Sequence, residues 1–250
     1  MSPRLKVAVQ TVFEAGQSTL ANFQTGIEIE HKEDDSPVTA ADRRAEEIVR
    51  EKLQARFPGE TVLGEEQGLS GNSPDRWVVD PIDGTKSYIC GVPLFATLLS
   101  WEEQGVPSLG VCYFPALNEM IFAERGGGAY WNGRPATCRE ARGLDNATVC
   151  HGSLASFAEI GKDAALGEVL MHARIGRTWS DAYGHMLVAT GRADMMLDPI
   201  VSRWDVSAVA VIVQESGAFF GTLFAEETIA DSALSCVPGM QSELGTIFTK

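Results

Sequence analysis

The run Trp77-Val78-Val79-Asp80-Pro81-Ile82-Asp83-Gly84-Thr85-Lys86-Ser87-Tyr88 constrains this chain more than any other stretch. Its apolar start, Trp77 to Val79, predicts a strand that delivers Asp80 to its end, and Gly84-Thr85 predicts the start of a helix. Carboxylates spaced as Asp80 and Asp83 are can turn toward one point, and hard divalent cations take oxygen ligands. The exposed N–H groups of a helix start suit an anion such as phosphate. The chain must therefore fold so that a strand end meets a helix start with cation and anion chemistry side by side.

Simpler readings of this run need weighing. Asp-Gly between apolar residues is also a hairpin signal. A calcium loop would need Glu at its twelfth position, but counting from Asp80 that position is Gly91, and Pro81 breaks the loop. Phosphatases that form an aspartyl-phosphate carry Asp-x-Asp-Gly-Thr. Here Pro81 and Ile82 both separate the carboxylates, which argues against Asp80 as a nucleophile and for both acids as metal ligands.

The charge balance bears on what such a site can bind. With 34 acidic and 20 basic residues among 250, the formal charge of −14 disfavours nucleic acid and anionic membranes as partners. It also repels a phosphate ester, so a phosphate-processing site here requires cations from solution. No apolar run approaches the length of a membrane span. The first 25 residues hold no signal-peptide pattern, and the expected location is the cytoplasm. The five cysteines (Cys90, Cys112, Cys138, Cys150 and Cys236) are odd in number and lack a C-x-x-C pair, as expected of thiols in a reducing compartment. His31, His151, His172 and His185 have no ligand spacing.

The periodicity is mixed α and β. Residues 5–23 predict a first helix with Ala8, Val9, Val12, Phe13, Leu20 and Phe23 on its apolar stripe. The charged stretch from Glu28 to Ser36 predicts a mobile loop. Thr39 predicts an N-cap for a helix burying Ala41, Ala45, Ile48, Val49, Leu53 and Phe57, stopped by Pro58-Gly59. Strands are expected at 61–63, 76–80, 95–101, 108–113 and 119–123, with a hairpin at Asn132-Gly133. From residue 146 strand and helix alternate, with a strand at Thr148–Cys150, a helix at Asp181–Thr190, a strand from Ala193 to Leu197 leading to Asp198, and an apolar helix at Asp205–Ser216 closed by Gly217. No linker separates the halves, and two subdomains, 1–145 and 146–250, are expected to share one interface.

Trp77–Tyr88 resembles the signature of the inositol monophosphatase family of Mg²⁺-dependent phosphatases. Three further segments support the likeness: Ser36-Pro37-Val38-Thr39-Ala40-Ala41-Asp42 with Glu46 beyond, Gly64-Glu65-Glu66, and Trp204-Asp205-Val206 followed by Ala208, Glu215 and Gly217. The resemblance implies a layered α-β-α-β-α sandwich. It implies that Glu65, Asp80 and the carbonyl of Ile82 bind one Mg²⁺, that Asp80, Asp83 and Asp205 bind a second, and that a third ion shares Glu65. It further implies that Thr85, oriented by Asp42, positions a metal-activated water for attack on phosphorus, that Gly84 and Thr85 offer N–H groups to phosphate, that Li⁺ inhibits, and that the protein is a homodimer.

Within that family, Arg177-Thr178-Trp179-Ser180-Asp181-Ala182-Tyr183-Gly184 and Gly91-Val92-Pro93-Leu94-Phe95 resemble the histidinol-phosphate phosphatase branch, an enzyme of histidine biosynthesis. Histidinol phosphate carries an ammonium and an imidazole beyond its phosphate, and Asp181 and Asp198 could receive them. Cys90 departs from the Arg common in that branch, and Arg177 and Arg203 could compensate. The expected substrate is thus a small phosphate ester. The alternatives are an inositol, sugar or nucleotide phosphatase of the same family, and more remotely a non-catalytic metal-binding protein.

Overall fold

The protein is described by a computed structural model covering residues 1–26, 28–31 and 37–249. Two larger sheets and the helices around them alternate along one direction, giving the layered mixed α/β sandwich expected. The first sheet has eight strands in the order β10-β9-β8-β7-β6-β5-β3-β4. These are β3 (Thr61–Gly64), β4 (Gly68–Ser70), β5 (Arg76–Asp83), β6 (Ala96–Glu103), β7 (Val106–Phe114), β8 (Glu119–Glu124), β9 (Ala129–Trp131) and β10 (Arg134–Ala136). The second has five, β12 (Ile175–Arg177), β11 (Thr148–His151), β13 (Met195–Asp198), β15 (Ala233–Cys236) and β14 (Phe219–Gly221), in that order. A small pair, β1 (Glu30–His31) with β2 (Pro37–Val38), stands apart.

Strand alternation explains the layers. Successive side chains point to opposite faces of a sheet, so neighbours along a strand go to different cores. On β6 and β7, Leu99 and Val111 pack with Leu5, Ala8 and Val12 of α1 (Pro3–Thr19) and Ala45, Val49 and Leu53 of α2 (Ala40–Arg56). Their neighbours Leu98 and Cys112 pack instead against α6 (Asp181–Ala189) and α7 (Arg203–Glu215). The second sheet divides the same way: Cys150 and Met196 face the α6–α7 layer, whereas Val149 and Met195 face Phe157, Leu166 and Phe248. Those three lie on α4 (Leu154–Glu159), α5 (Asp163–His172) and α8 (Gln241–Thr249). Helix α7 is apolar nearly all round because both sheets sandwich it. Its approach to the first sheet depends on Gly110, where a Cβ would lie 2.3 Å from the carbonyl oxygen of Ala208.

Several expected boundaries shift. Helix α1 ends at Thr19, and Leu20 and Phe23 lie beyond it in turns, packed beside Tyr88 and Phe95. Phe13 is 40 % exposed, although its ring lies 5.3 Å from that of Tyr113. Of the segment read as a mobile loop, residues 32–36 lie outside the described residues, and Glu30–His31 forms β1. Strand β5 continues to Asp83 instead of stopping at Asp80, and α7 begins two residues before Asp205.

Candidate functional site

The site begins with an irregularity in β5. Asp80 pairs with Leu98 and Asp83 with Ala96, so Pro81 and Ile82 together oppose Thr97 alone. In a regular strand, residues three apart point to opposite faces. The bulge inserts one extra residue, which turns both carboxylates to the same side. Proline suits the bulge because it has no N–H to lose, and its carbonyl instead accepts from the Thr97 hydroxyl at 2.8 Å. Gly84 then adopts the left-handed conformation (φ 78°, ψ 41°) and turns the chain into the short helix α3 (Thr85–Ile89).

Asp80, Asp83 and Asp205 come together, with one oxygen from each within 4.8 Å of the others. Glu65, in the turn after β3, is in hydrogen-bonding range of Asp80. A cleft of about 180 Å³ is lined by Glu65, Asp80, Ile82, Asp83, Gly84, Thr85, Asp181 and Asp205, together with Pro37 and Lys86. Asp42 and Asp198 lie outside that lining.

Helix starts converge on this cluster. Asp42 is the third residue of α2, and its Oδ2 accepts from the Thr39 N–H at 2.8 Å and from the Thr39 hydroxyl at 2.6 Å. Asp205 occupies the same position in α7, with Oδ2 accepting from Ser202 N–H at 2.7 Å. Asp83 reaches across to α6, where its Oδ2 accepts from Ala182 N–H at 2.9 Å. Each acid thus satisfies a helix-start N–H with one oxygen and keeps the other. Asp42 Oδ1 and Asp80 Oδ1 are buried without any hydrogen-bond partner.

The electrostatics follow from that crowding. Burial raises the pKa of Asp80 well above the carboxylate norm, and Glu65, Asp83 and Asp205 push it further. Asp83 shifts the same way through burial and then through Asp181 and Asp205. Asp205 rises to about 7, chiefly by burial, with Glu65 and Asp181 adding and its bond from Ser202 opposing. Burial, with a further push from Glu65, raises Asp42 against its bonds from Thr39. Anionic carboxyls held this close are mutually costly, and a cation is their natural complement.

The substrate candidates fall in two places. Asp181, first residue of α6, has φ of 57°, unusual outside glycine. Its Oδ2 lies 3.0 Å from where a Cβ on Gly84 would stand, so the missing side chain of Gly84 makes room for it. Burial raises its pKa, while the Lys86 ammonium nearby lowers it. Asp198 ends β13 and packs against Gly152, where a Cβ would come within 2.9 Å of its Oδ1. It reaches the cluster through its charge, since Asp181 and Asp205 both raise its pKa after burial.

One expected contact is not made, and neither arginine offered as a compensating cation lines the cleft. The Thr85 hydroxyl donates to the Ile82 carbonyl at 3.0 Å and is not bonded to Asp42; the Asp42 carboxylate turns to its own helix cap instead. Arg203 does not face the cleft, because its guanidinium bonds the buried Glu102 and the carbonyl of Gly105. Arg177 is exposed on β12 and donates to the carbonyl of Gly176. Sequence reasoning also passed over Lys86 as a wall of the cleft. Its place directly after Gly84-Thr85 was the available signal.

Comparison with known proteins places the chain. The model of the inositol monophosphatase family matches residues 1–244. A histidinol-phosphatase from Chlorobaculum parvum is 41 % identical over 220 residues, covering 87 % of this chain and 85 % of that protein. An inositol-1-monophosphatase from Mesorhizobium japonicum is 32 % identical over 245 residues, covering 92 % and 90 %. Among solved structures, the extragenic suppressor protein suhB from Bartonella henselae superposes with a TM-score of 0.92 at 27 % identity, covering 100 % of this chain and 99 % of that one.

Proposed function

Because the chain belongs to the inositol monophosphatase family, we propose that it is a Mg²⁺-dependent phosphate monoester hydrolase acting on histidinol phosphate. The observation that carries the substrate is Asp181, a carboxylate set against Gly84 at the edge of the acidic cluster. A carboxylate there pairs in charge with an ammonium or imidazolium beyond the phosphate, whereas a neutral polyol offers it hydroxyl hydrogen bonds alone. The higher identity to a histidinol-phosphatase than to an inositol-1-monophosphatase supports the same choice.

The donor set suits hard divalent ions. Asp80, Asp83 and Asp205 offer oxygen alone, in a group within 4.8 Å, and Asp80 keeps a buried oxygen without a partner. We assign Glu65, Asp80 and the Ile82 carbonyl to one ion, and Asp80, Asp83 and Asp205 to a second, with a third sharing Glu65. The Ile82 carbonyl has a second lone pair beyond the one taken by Thr85. Such ions, when bound, polarise the phosphoryl group and lower the pKa of nearby water.

The chain's own residues supply position. Gly84 and Thr85 turn their N–H groups to the phosphate at the start of α3. Asp42, Glu65 and Thr85 surround the place from which water attacks, and Glu65 accepts the proton it gives up. The water oxygen ends on phosphorus, the ester P–O bond breaks, and histidinol leaves as the alcohol with a proton from bulk water, to which Glu65 returns the one it took. Asp181 receives the cationic tail in exchange for Lys86, and Asp198 adds negative potential behind it. Both halves, 1–145 and 146–250, contribute acids to this one site.

We place the protein in the cytoplasm, where its five free cysteines would stay reduced. Among the described residues no helix is long and apolar enough to cross a membrane. We read it as a homodimer, which the exposed Met171, Ile175 and Trp179 near the β12 edge support. The deciding experiment compares turnover of histidinol phosphate and inositol 1-phosphate with Mg²⁺ present. Preference for the inositol ester would refute the substrate assignment while leaving the family intact.

A further inference from the structure

We propose that Glu46 and Arg50 form a clamp on α2 that positions the Glu65 carboxylate, making Glu46 a positioning residue for the metal site. The inference rests on the metal reading given above. Asp42, Glu46 and Arg50 recur at four-residue spacing and so share one stripe of α2, facing the first sheet. Asp42 and Glu46 are both fully buried. Asp42 is used at the helix start, but nothing in the chemistry of phosphate hydrolysis calls for Glu46.

Its partners explain it. Glu46 Oε2 accepts from the Glu66 N–H at 2.8 Å, and Oε1 accepts from Gln67 N–H at 3.1 Å and from Arg50 Nε at 2.8 Å. The Glu65 N–H donates to the Val79 carbonyl at 3.3 Å. Three successive N–H groups of the turn joining β3 to β4 are therefore fixed, one by the neighbouring strand and two by this carboxylate. Arg50 closes the other side, donating to the Gly68 carbonyl at 2.7 Å and to the Ser70 hydroxyl at 2.9 Å. Gly64 completes the seat, since a Cβ there would fall 2.2 Å from Glu46 Oε1. Glycine at 64 is required by space alone.

A turn pinned by backbone bonds on either side of Glu65 gives that side chain a fixed root beside Asp80. Glutamine at 46 has the same size but only one acceptor oxygen, and its amide would face N–H groups and a guanidinium with donors of its own. Chemistry, not bulk, is thus what the position demands.

The test measures Mn²⁺ binding directly, by electron paramagnetic resonance of the free ion, on the full chain. Glu46→Gln should weaken binding about tenfold or more, as loss of a group that orients a metal ligand does, with the Mg²⁺ needed for half-maximal activity rising by the same factor. Val49→Ala, a cavity in the neighbouring core of the same helix, should lower thermal stability and leave binding unchanged. On a Glu65→Ala background, Glu46→Gln should add nothing. Wild-type affinity in Glu46→Gln, or equal losses with and without Glu65, would overturn the clamp. Absence of Mn²⁺ binding by the wild-type protein would instead refute the metal reading itself, and the two failures are distinct.

Discussion

Replacing Asp205 with Asn separates what the acidic cluster does for binding from what it does to the fold. Asparagine retains a carbonyl oxygen that can accept from Ser202 N–H, so the start of α7 stays capped. What disappears is the charge. The carboxyl of Asp205 moves from 3.8 to about 7 on folding, which at about 1.36 kcal/mol per pH unit sets an upper bound near 4 kcal/mol against folding at alkaline pH. Because the folded pKa is raised, the folded protein holds this proton between about pH 4 and 7 while the unfolded chain has released it. Stability is therefore lost as pH rises through that window, and the loss is complete above about 7. Asp80, Asp83, Asp181 and Asp198 shift in the same direction and deepen the effect.

The assay is denaturation of metal-stripped protein in EDTA, at pH 5 and pH 8, repeated with saturating Mg²⁺. In EDTA the wild type should be more stable at pH 5 than at pH 8. Asp205→Asn should exceed the wild type at pH 8 by up to about 4 kcal/mol, or roughly 2–4 °C in Tm per kcal/mol for a chain of this size. Mg²⁺ should raise the wild type strongly at pH 8 and the variant far less, and phosphatase turnover should fall by orders of magnitude in the variant. A variant no more stable than wild type in EDTA at pH 8, or a wild type that gains stability from pH 5 to pH 8 without metal, would refute the reasoning.

Further expectations follow from other parts of the molecule. Asp181→Asn should reduce kcat/KM for histidinol phosphate by roughly ten- to a hundredfold, the worth of a charge-assisted contact, while p-nitrophenyl phosphate hydrolysis changes little; equal losses would mark Asp181 as structural only. His185 is buried with Nδ1 on the Ser235 hydroxyl at 2.7 Å, and burial lowers its pKa from 6.5 to about 3. The unfolded chain alone takes up that proton below about 6.5, so from pH 7 to pH 5 the wild type should lose about 2 kcal/mol relative to His185→Asn; parallel pH curves would contradict this. Gly110→Ala should cost about 1–3 kcal/mol or more, because its Cβ meets a backbone oxygen of α7 at 2.3 Å; an unchanged denaturation midpoint would mean the two layers separate freely.

The fold was most legible where local chemistry and tertiary packing ask for the same thing. Thr39 caps α2 as expected, with its side chain accepting from Ala41 N–H, and the Asn132-Gly133 turn joins β9 to β10. Among the strands not anticipated, β4, β12 and β14 have three residues each and little alternation of their own. They exist because a neighbouring strand offers them partners, which is information from elsewhere in the chain. In the site, the acids were readable from their motifs, but their geometry was not. That Asp80 and Asp83 share a face depends on a bulge opposite Thr97, and that Asp83 accepts from the start of α6 depends on a contact 99 residues away in sequence. Arg203 read as a possible ligand for the substrate because its partner, Glu102, is 101 residues distant.

The acids also show how the fold tolerates its own site. Asp42, Asp83 and Asp205 each give one oxygen to an N–H at the start of a helix, α2, α6 or α7. Helix starts carry partial positive charge, and an acid there gains about 0.3–1 kcal/mol at the surface, somewhat more when partly buried. The roughly 4 kcal/mol bound for Asp205 is what remains after its cap from Ser202 N–H has already pulled the pKa down. Backbone caps therefore orient the carboxylates without neutralising them, and a cation must offset the remainder. Asp80 has no helix start at all, and its buried Oδ1 lacks any partner. It is the acid that depends most on a bound ion, and the one on which the charges of Glu65, Asp83 and Asp205 all press. Since the caps bind oxygen and the ion binds charge, amide substitutions at Asp83 and Asp205 should spare the first and abolish the second. Alanine at the same positions would lose both, and could not tell a structural acid from a ligand.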